Sequence, residues 1–384
     1  MIKPGSNISK DYLHFSGDKI LLLKSALLQG EEAVESWSNY CSDFNFDKID
    51  PVCFKLFPLL YVNLKKHKID APLLKEFKNL YNVAWYKNKL LFSKMFQAIE
   101  ALASKSIECM PLKGMALILA YYKDFGLRPM NDFDLLIPEK RIKEAIDILL
   151  SIGYKPGNNF RFSRKFLLIN NSYTFFGEDS SELDLHWHIL YDACSQKADK
   201  ILLQNPVSVK VNNRTINVLN LENQLLQVIV HGLNRFSSSG FQWMADVVFL
   251  LKNYEKQIDW EKLVENSERL NLSLSLYSGF KFINSEIQHL VPERILDQLN
   301  SINVSENEKK ELRIKIKGQG RRGHAHLLWY HYLRNKGLRN FPGFPHYFLI
   351  FLQHKWSVKK IWLVPFYSVY LGITRLLNSS SDRQ

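Results

Sequence analysis

Residues 111–138 read PLKGMALILAYYKDFGLRPMNDFDLLIP, and this stretch decides the fold. Its segment 133–137, FDLLI, has strand character and is stopped by Pro138. Residues two apart on a strand share a face, so Asp132 and Asp134 project together while Phe133, Leu135 and Ile137 point into a core. Two carboxylates about 4 Å apart repel by roughly 4 kcal/mol at an effective dielectric near 20. A fold keeps such a pair when a cation bridges it or when one carboxyl stays protonated. For oxygen donors the expected cation is Mg²⁺, which retains waters and takes substrate phosphates. Upstream, 107–112 (IECMPL) reads as extended and 114–122 as helical, which puts Gly114 at a strand-to-helix turn. Downstream, ELDLHWH at 182–188 places Glu182, Asp184, His186 and His188 on one face and Leu183, Leu185 and Trp187 on the other. If the two acidic strands are neighbours, Asp184 becomes a third carboxylate, the donor set of a two-metal site for phosphoryl or nucleotidyl transfer. Taken alone, D-x-D recurs by chance, and a solvated strand end explains most instances.

Further out the pattern is helical on both sides. Residues from about 17 to 105 carry apolar positions at helical spacing, with a long uninterrupted run at 74–104. The segment 139–152 is amphipathic, with Ile142, Ala145, Ile146, Leu149 and Leu150 on one face and Gly153 as its cap. Strands are expected at 166–169, 172–176, 182–188 and 214–219, with a hairpin turn at 177–181. Helices resume at 221–233, 241–251 and from Asp259, and 290–384 reads as helical with a break at 337–345 and a frayed tail from 378. The expected fold class is α+β: a small mixed sheet with helical regions before and after. Four regions follow: an N-terminal helical region at 1–105, the α+β core at 106–219, a helical domain packing on it at 220–311, and a C-terminal region at 312–384.

That last region is chemically distinct. The 384-residue chain carries 51 Lys and Arg against 38 Asp and Glu, a net charge of +13. From Leu312 to Ser381 there is no acidic residue and there are twelve cations, so residues 1–311 carry only 38 − 37 = +1. The same stretch is rich in Trp, Tyr and Phe. The ordinary reading is a helical region with an aromatic core and solvated cations. Next comes an anionic membrane surface, with Trp and Tyr at headgroup level; nucleic acid ranks below it. The run IWLVPFYSVYLGI at 361–373 is too short to span a bilayer.

The order LKG-x-AL, R-x-x-x-D-x-DLL and D-x-HW resembles the uncharacterised nucleotidyltransferase family of the DNA polymerase β-like superfamily. Here the matching residues are Leu112-Lys113-Gly114 with Ala116-Leu117, then Arg128, Asp132 and Asp134-Leu135-Leu136, then Asp184 with His186-Trp187. The resemblance covers roughly 20–270 and is strongest over 111–188. It implies that Asp132, Asp134 and Asp184 are catalytic and hold two Mg²⁺ ions, or Mn²⁺ in their place. It implies nucleotide binding at Lys113, Gly114 and Arg128, with Gly114 letting backbone N–H groups approach phosphate. Arg128 either clamps phosphate or braces the acidic strand, with bracing favoured. Met115 after Gly114, and the long gap from Gly114 to Asp132, depart from the broader superfamily and leave the triphosphate grip open.

The resulting expectation is a metal-dependent nucleotidyltransferase acting on a nucleoside triphosphate, with ATP, CTP, GTP and UTP not distinguished, and an unidentified acceptor such as a sugar, peptide or protein. The alternatives are transfer of another group, such as a sugar, from an activated nucleotide, and a non-catalytic nucleotide-binding scaffold. His186, His231 and Asp246 are acceptor-side or supporting candidates, with Asp246 read as a positioning residue and His188 as a plain polar face residue. G-x-G-x-x-G at 318–323 is rejected as a dinucleotide site, because no βαβ unit or ribose-binding acid accompanies it. His324, His326 and His331 lack a Cys or carboxylate to complete a zinc site. Four widely spaced cysteines and the absence of a secretory leader pattern point to a cytoplasmic protein, peripheral at the inner membrane surface if the basic region docks there.

Overall fold

The computed structural model describes residues 16–41, 49–69, 73–157, 162–163, 166–167, 170–211, 214–234, 242–316, 329–330, 332–333, 346–356 and 358–381. Three helices, α1 (Gly17–Leu27), α2 (Glu31–Cys41) and α3 (Phe57–Lys66), lead into α4 (Leu74–Ala103). α4 runs 30 residues with no Pro or Gly. Its buried Phe77, Ala84, Asn88, Leu91, Met95, Ala98 and Leu102 recur three, four or seven apart, so one stripe faces the core.

The α+β unit follows as β1 (Met110–Leu112), α5 (Lys113–Leu117) prolonged by a π-helical turn at Ile118–Tyr122, β2 (Asp132–Leu136), α6 (Ile142–Ser151), β3 (Lys155–Pro156), β4 (Ser172–Phe176) and β5 (Glu182–His186). The sheet order is β1-β2-β5-β4-β3. β2 and β5 run parallel, and the other pairs are antiparallel. Phe133, Leu135, Phe175 and Leu183 are each 0% exposed on the face opposite the acids. Each such side chain contributes about 1.5–3 kcal/mol of burial, which pins the register.

After the sheet come α7 (Gln196–Leu202), a hairpin of β6 (Val207–Val211) and β7 (Arg214–Val218), then α8 (Leu221–Asn234), α9 (Gln242–Tyr254), α10 (Trp260–Arg269), α11 (Ser273–Phe282), α12 (Glu293–Ser301), α13 (Glu306–Ile316), α14 (His346–Lys355) and α15 (Val364–Ser381). Asp259 caps α10 by accepting from Lys262 N. One hydrophobic cluster extends from Leu22 to Leu312, and a second gathers Tyr332, Phe351, Leu352 and Val364. No described helix is long and apolar enough to cross a membrane. The four cysteines are free thiols.

Several local expectations change. Phe166 and Leu167 are helical rather than strand. Ser163 Oγ accepts from Phe166 N at 3.0 Å, so a serine-capped turn holds these two residues, while Leu168 and Ile169 lie outside the described residues. The strand at 182–188 ends at His186, because the N–H groups of Trp187 and His188 both turn to Asn171 O. His188 is therefore off the polar face: it is fully buried, with Nδ1 2.6 Å from Asp199 Oδ2. Leu150 is exposed rather than on the buried face of α6. The extended run at 107–112 pairs only from Met110, and β6 is an additional strand. The expected fray from 378 is helical through Ser381. The loop at 318–323 and His324, His326 and His331 lie outside the described residues.

Candidate active site

A single row of residues crosses the sheet. Leu112 pairs with Asp134, Asp134 with Asp184, and Asp184 with Thr174. Directly opposed residues project from the same face, so the parallel register of β2 and β5 is what brings the two carboxylates together. Lys113 follows β1 with φ +49°, a left-handed conformation that costs a non-glycine residue about 1 kcal/mol. From that position its Nζ reaches Asp134 Oδ1 at 2.5 Å. His186 Nε2 lies 2.9 Å from the same oxygen. A carboxylate only accepts, so Nε2 carries the proton and donates it. His186 Nδ1 faces the Asn171 amide at 3.4 Å and the His188 carbonyl at 3.3 Å. Thr174 Oγ1 donates to Asp184 Oδ1 at 2.5 Å.

Ligand atoms of Asp134, Asp184 and His186 all lie within 4.8 Å of one another. This set fits a divalent cation: the carboxylates suit Mg²⁺ or Mn²⁺, and the imidazole can join them. Asp132 shares the face, two residues earlier on β2, but stands outside this trio. His186, read from sequence as an acceptor-side or supporting candidate able to touch metal, is in it.

The charges are strongly coupled. Burial opposes ionisation of Asp134, yet the Lys113 ammonium and the His186 N–H hold its carboxyl well below the usual range. Burial also opposes the charge on Lys113, but Asp134, Asp184 and Asp132 outweigh it and raise its pKa. Asp132 is raised by burial and by the Asp134 charge, only partly offset by Lys113. The two acids of the D-x-D pair thus diverge: Asp134 is held ionised and Asp132 is biased toward its neutral form.

The segment between α5 and β2 is anchored from both sides. Asn88 of α4 donates to Phe125 O at 2.6 Å and Arg128 O at 2.8 Å, and Gln242 of α9 donates to Pro129 O at 2.8 Å. Arg128 binds Asp246 through two bonds of 2.9 Å, Nε to Oδ1 and Nη2 to Oδ2. Tyr122 OH also donates to Asp246 Oδ1 at 2.9 Å. Asp246 is 2% exposed and accepts all three of these bonds. Gly114 packs beneath this brace: a Cβ there would lie 2.4 Å from Arg128 Nη1 and 2.5 Å from Met130 Sδ. Its missing side chain makes room for Arg128 and Met130.

These groups border a cleft of about 300 Å³, whose walls include Lys55, Lys113, Arg128, Asp132, Gln227 and His231. Lys55 escaped the sequence reading. It sits on a 3₁₀ turn at Pro51–Lys55, far from every motif, and only tertiary folding brings it to the acids. Burial lowers its pKa, with Arg128 adding to the effect and Asp132 and Asp246 opposing it. Its side chain has no hydrogen-bond or ion-pair partner among the described residues. Gln227 was missed as well. Its Oε1 accepts from Lys113 N at 3.4 Å, and its buried Nε2 is left unpaired.

No curated protein matches this chain. Among solved structures it is similar to an antigenic nucleotidyltransferase-like protein from Paracoccidioides brasiliensis, at 16% identity, covering 48% of this chain and 92% of that one, with a TM-score of 0.29. Residues 54–287, more than half of the chain, match the uncharacterised nucleotidyltransferase family, and the protein belongs to it.

Proposed function

We propose that this protein is a metal-dependent nucleotidyltransferase that moves a nucleotidyl group from a nucleoside triphosphate to an acceptor oxygen. The carrying observation is the Asp134–Asp184–His186 trio with Lys113, where Asp134 and Lys113 line a cleft of mixed charge that also holds Lys55, Arg128 and Asp132. Asp134 and Asp184 would hold a divalent cation, with Asp132 nearby for a second. A cation held there would supply positive charge for the triphosphate and would lower the pKa of the acceptor hydroxyl.

The chain's own residues do the rest. Lys113 gives up its contact with Asp134 and turns to phosphate oxygens as the triphosphate enters. His186 fixes one oxygen of Asp134. Thr174 fixes one oxygen of Asp184, leaving the other to take the acceptor's proton. The acceptor oxygen bonds to the α-phosphorus, the bond from that phosphorus to the bridging oxygen breaks, and pyrophosphate leaves with the electron pair. Arg128, engaged by Asp246, holds the shape of the cleft. Four free thiols suit a reducing, cytoplasmic setting.

One observation favours the non-catalytic reading. Lys113 already neutralises Asp134, as a site with no need of metal would arrange it. Isothermal titration with each of the four nucleoside triphosphates, with and without Mg²⁺, separates the two. Asp184→Asn is the control, because it leaves the Lys113–Asp134 pair intact. Mg²⁺-dependent binding that the variant loses is the expected result. Equal binding without Mg²⁺ in both proteins would overturn the metal-dependent reading.

A further inference from the structure

α15 carries apolar residues on two opposite sides. Val364 is 1% exposed in the small second cluster, and Tyr367 and Leu371, on the same side of the helix, are half-buried. Phe366, Val369, Tyr370 and Ile373 face outward at 68%, 62%, 58% and 52% exposure. At 100° per residue these four fall within an arc of about 100°. Trp362, on the 3₁₀ turn just before the helix, is 60% exposed and extends the stripe. A helix bordering water puts polar residues on such a face, and a contiguous exposed apolar patch marks a contact surface.

The charge around the stripe says what covers it. Lys359 and Lys360, immediately before the turn, are exposed. No acidic residue occurs from Leu312 to Ser381, against twelve cations. A second copy of this chain would bring Lys359 and Lys360 against the same lysines, with no acidic residue in 312–381 to pair them. A nucleic acid would satisfy the cations and leave Val369 and Ile373 uncovered. An anionic lipid surface answers both features, with headgroups for the lysines and the acyl boundary for the apolar stripe; Trp and Tyr suit the level between them. The absence of a described membrane-spanning helix makes the contact one that lies in the interface plane.

We propose that the outward face of α15, with Trp362, Lys359 and Lys360, docks this protein onto an anionic lipid bilayer. The docking is independent of how the acidic cleft is read. It combines two weak signals, apolar insertion and charge attraction, and so is reversible and salt-sensitive.

The test is co-sedimentation of the full chain with phosphatidylcholine vesicles, plain or carrying about 30% phosphatidylglycerol. Two multiple variants are compared with wild type: Phe366→Ser/Val369→Ser/Ile373→Ser, and Lys359→Glu/Lys360→Glu. All five positions are exposed, so an unchanged thermal melt is expected. Wild type should bind the anionic vesicles, lose binding as salt rises, and ignore plain phosphatidylcholine. Each variant should weaken binding by about tenfold or more. No binding to anionic vesicles, or undiminished binding by both variants, overturns the proposal. So does a concentration-dependent dimer that the serine variant dissolves, which would make the stripe an interface between copies. Binding to single-stranded DNA that the glutamate variant loses, with vesicle binding unaffected, would reassign the surface to nucleic acid.

Discussion

Asp134 sits at the meeting point of a stability problem and a chemical one. Its carboxylate and the Lys113 ammonium form a buried pair, with side chains 5% and 19% exposed. Removing one partner of such a pair leaves the other charged and unmatched, at a cost of about 3–5 kcal/mol. Asp134→Asn is therefore expected to abolish Mg²⁺-dependent nucleotide binding and also to lower stability by about 2–4 kcal/mol, the Asn carbonyl recovering part of the loss. Lys113→Met added to that variant should restore part of the stability and none of the activity. The pH sense follows from the shifts. The lowered carboxyl contributes stability that is complete above an unfolded pKa of about 4 and is lost as pH falls through its folded value. The raised ammonium contributes stability that is complete below an unfolded pKa of about 10 and is lost as pH rises through its folded value. Urea unfolding of wild type and variant should therefore differ most near neutral pH, and the gap should narrow in acid; a gap that widens in acid would contradict the pairing. Lys55 makes a separate prediction. Its lowered pKa means that its positive charge disappears at a lower pH than an ordinary lysine's, about 10. Triphosphate affinity should fall about tenfold in Lys55→Ala, and the alkaline loss of affinity should move to higher pH in Lys55→Arg. Titrations across pH 7 to 10 read both effects.

Between α5 and β2 the chain makes a long excursion that the site depends on, and Gly114 is where it can be probed. An alanine there meets Arg128 Nη1 and Met130 Sδ at distances no methyl group tolerates. Neither neighbour yields easily, because Arg128 is fixed to Asp246 by two bonds and Met130 is 7% exposed. Gly114→Ala should cost about 1–3 kcal/mol and lower turnover, since the strain falls on the wall of the cleft. Chemical denaturation beside an activity assay checks both, and a fully stable, fully active variant would show that the excursion shifts freely. The same elements show what a sequence reveals. β2 and β5 were legible because a two-residue alternation of acid and apolar residues has few other readings. α4 was legible because its apolar stripe persists for eight turns. The turn at Phe166–Leu167 was not, because four apolar residues fit a strand or a capped turn equally well, and Ser163 decided it. β6 was not, because its short alternation begins with an exposed Val207 and has little burial to mark it. The Arg128–Asp246 brace joins residues 118 apart, and Lys55 reaches the cleft from a different part of the chain. Spacing rules carry no information at that range. His186 was placed on the acidic face by alternation, but its hydrogen bond to Asp134 needed the register.

At the scale of the molecule, charge and packing divide the chain at nearly the same place. The large cluster runs from Leu22 to Leu312, and the acid-free stretch begins at Leu312. α13 belongs to the first part despite its surface-like composition. Glu308 Oε1 accepts from Leu274 N at 3.3 Å, Glu311 is 3% exposed and Leu312 2%. A cut inside α13 would therefore strip α11 of a buried hydrogen-bond acceptor and open the core, whereas among the described residues none after Ile316 belongs to the main cluster. The sheet, the acidic trio, the Arg128–Asp246 brace and Lys55 all lie within the retained part. A chain ending at Ile316 is thus expected to unfold cooperatively, with a melting temperature within a few degrees of the full chain. It should bind Mg²⁺ and nucleoside triphosphate with wild-type affinity while losing its hold on anionic vesicles. Calorimetry, titration and co-sedimentation on the same preparation read the three properties separately. Lost nucleotide binding in a cooperatively folded truncation would mean that the basic region completes the cleft, and that the division by charge is not a division of labour.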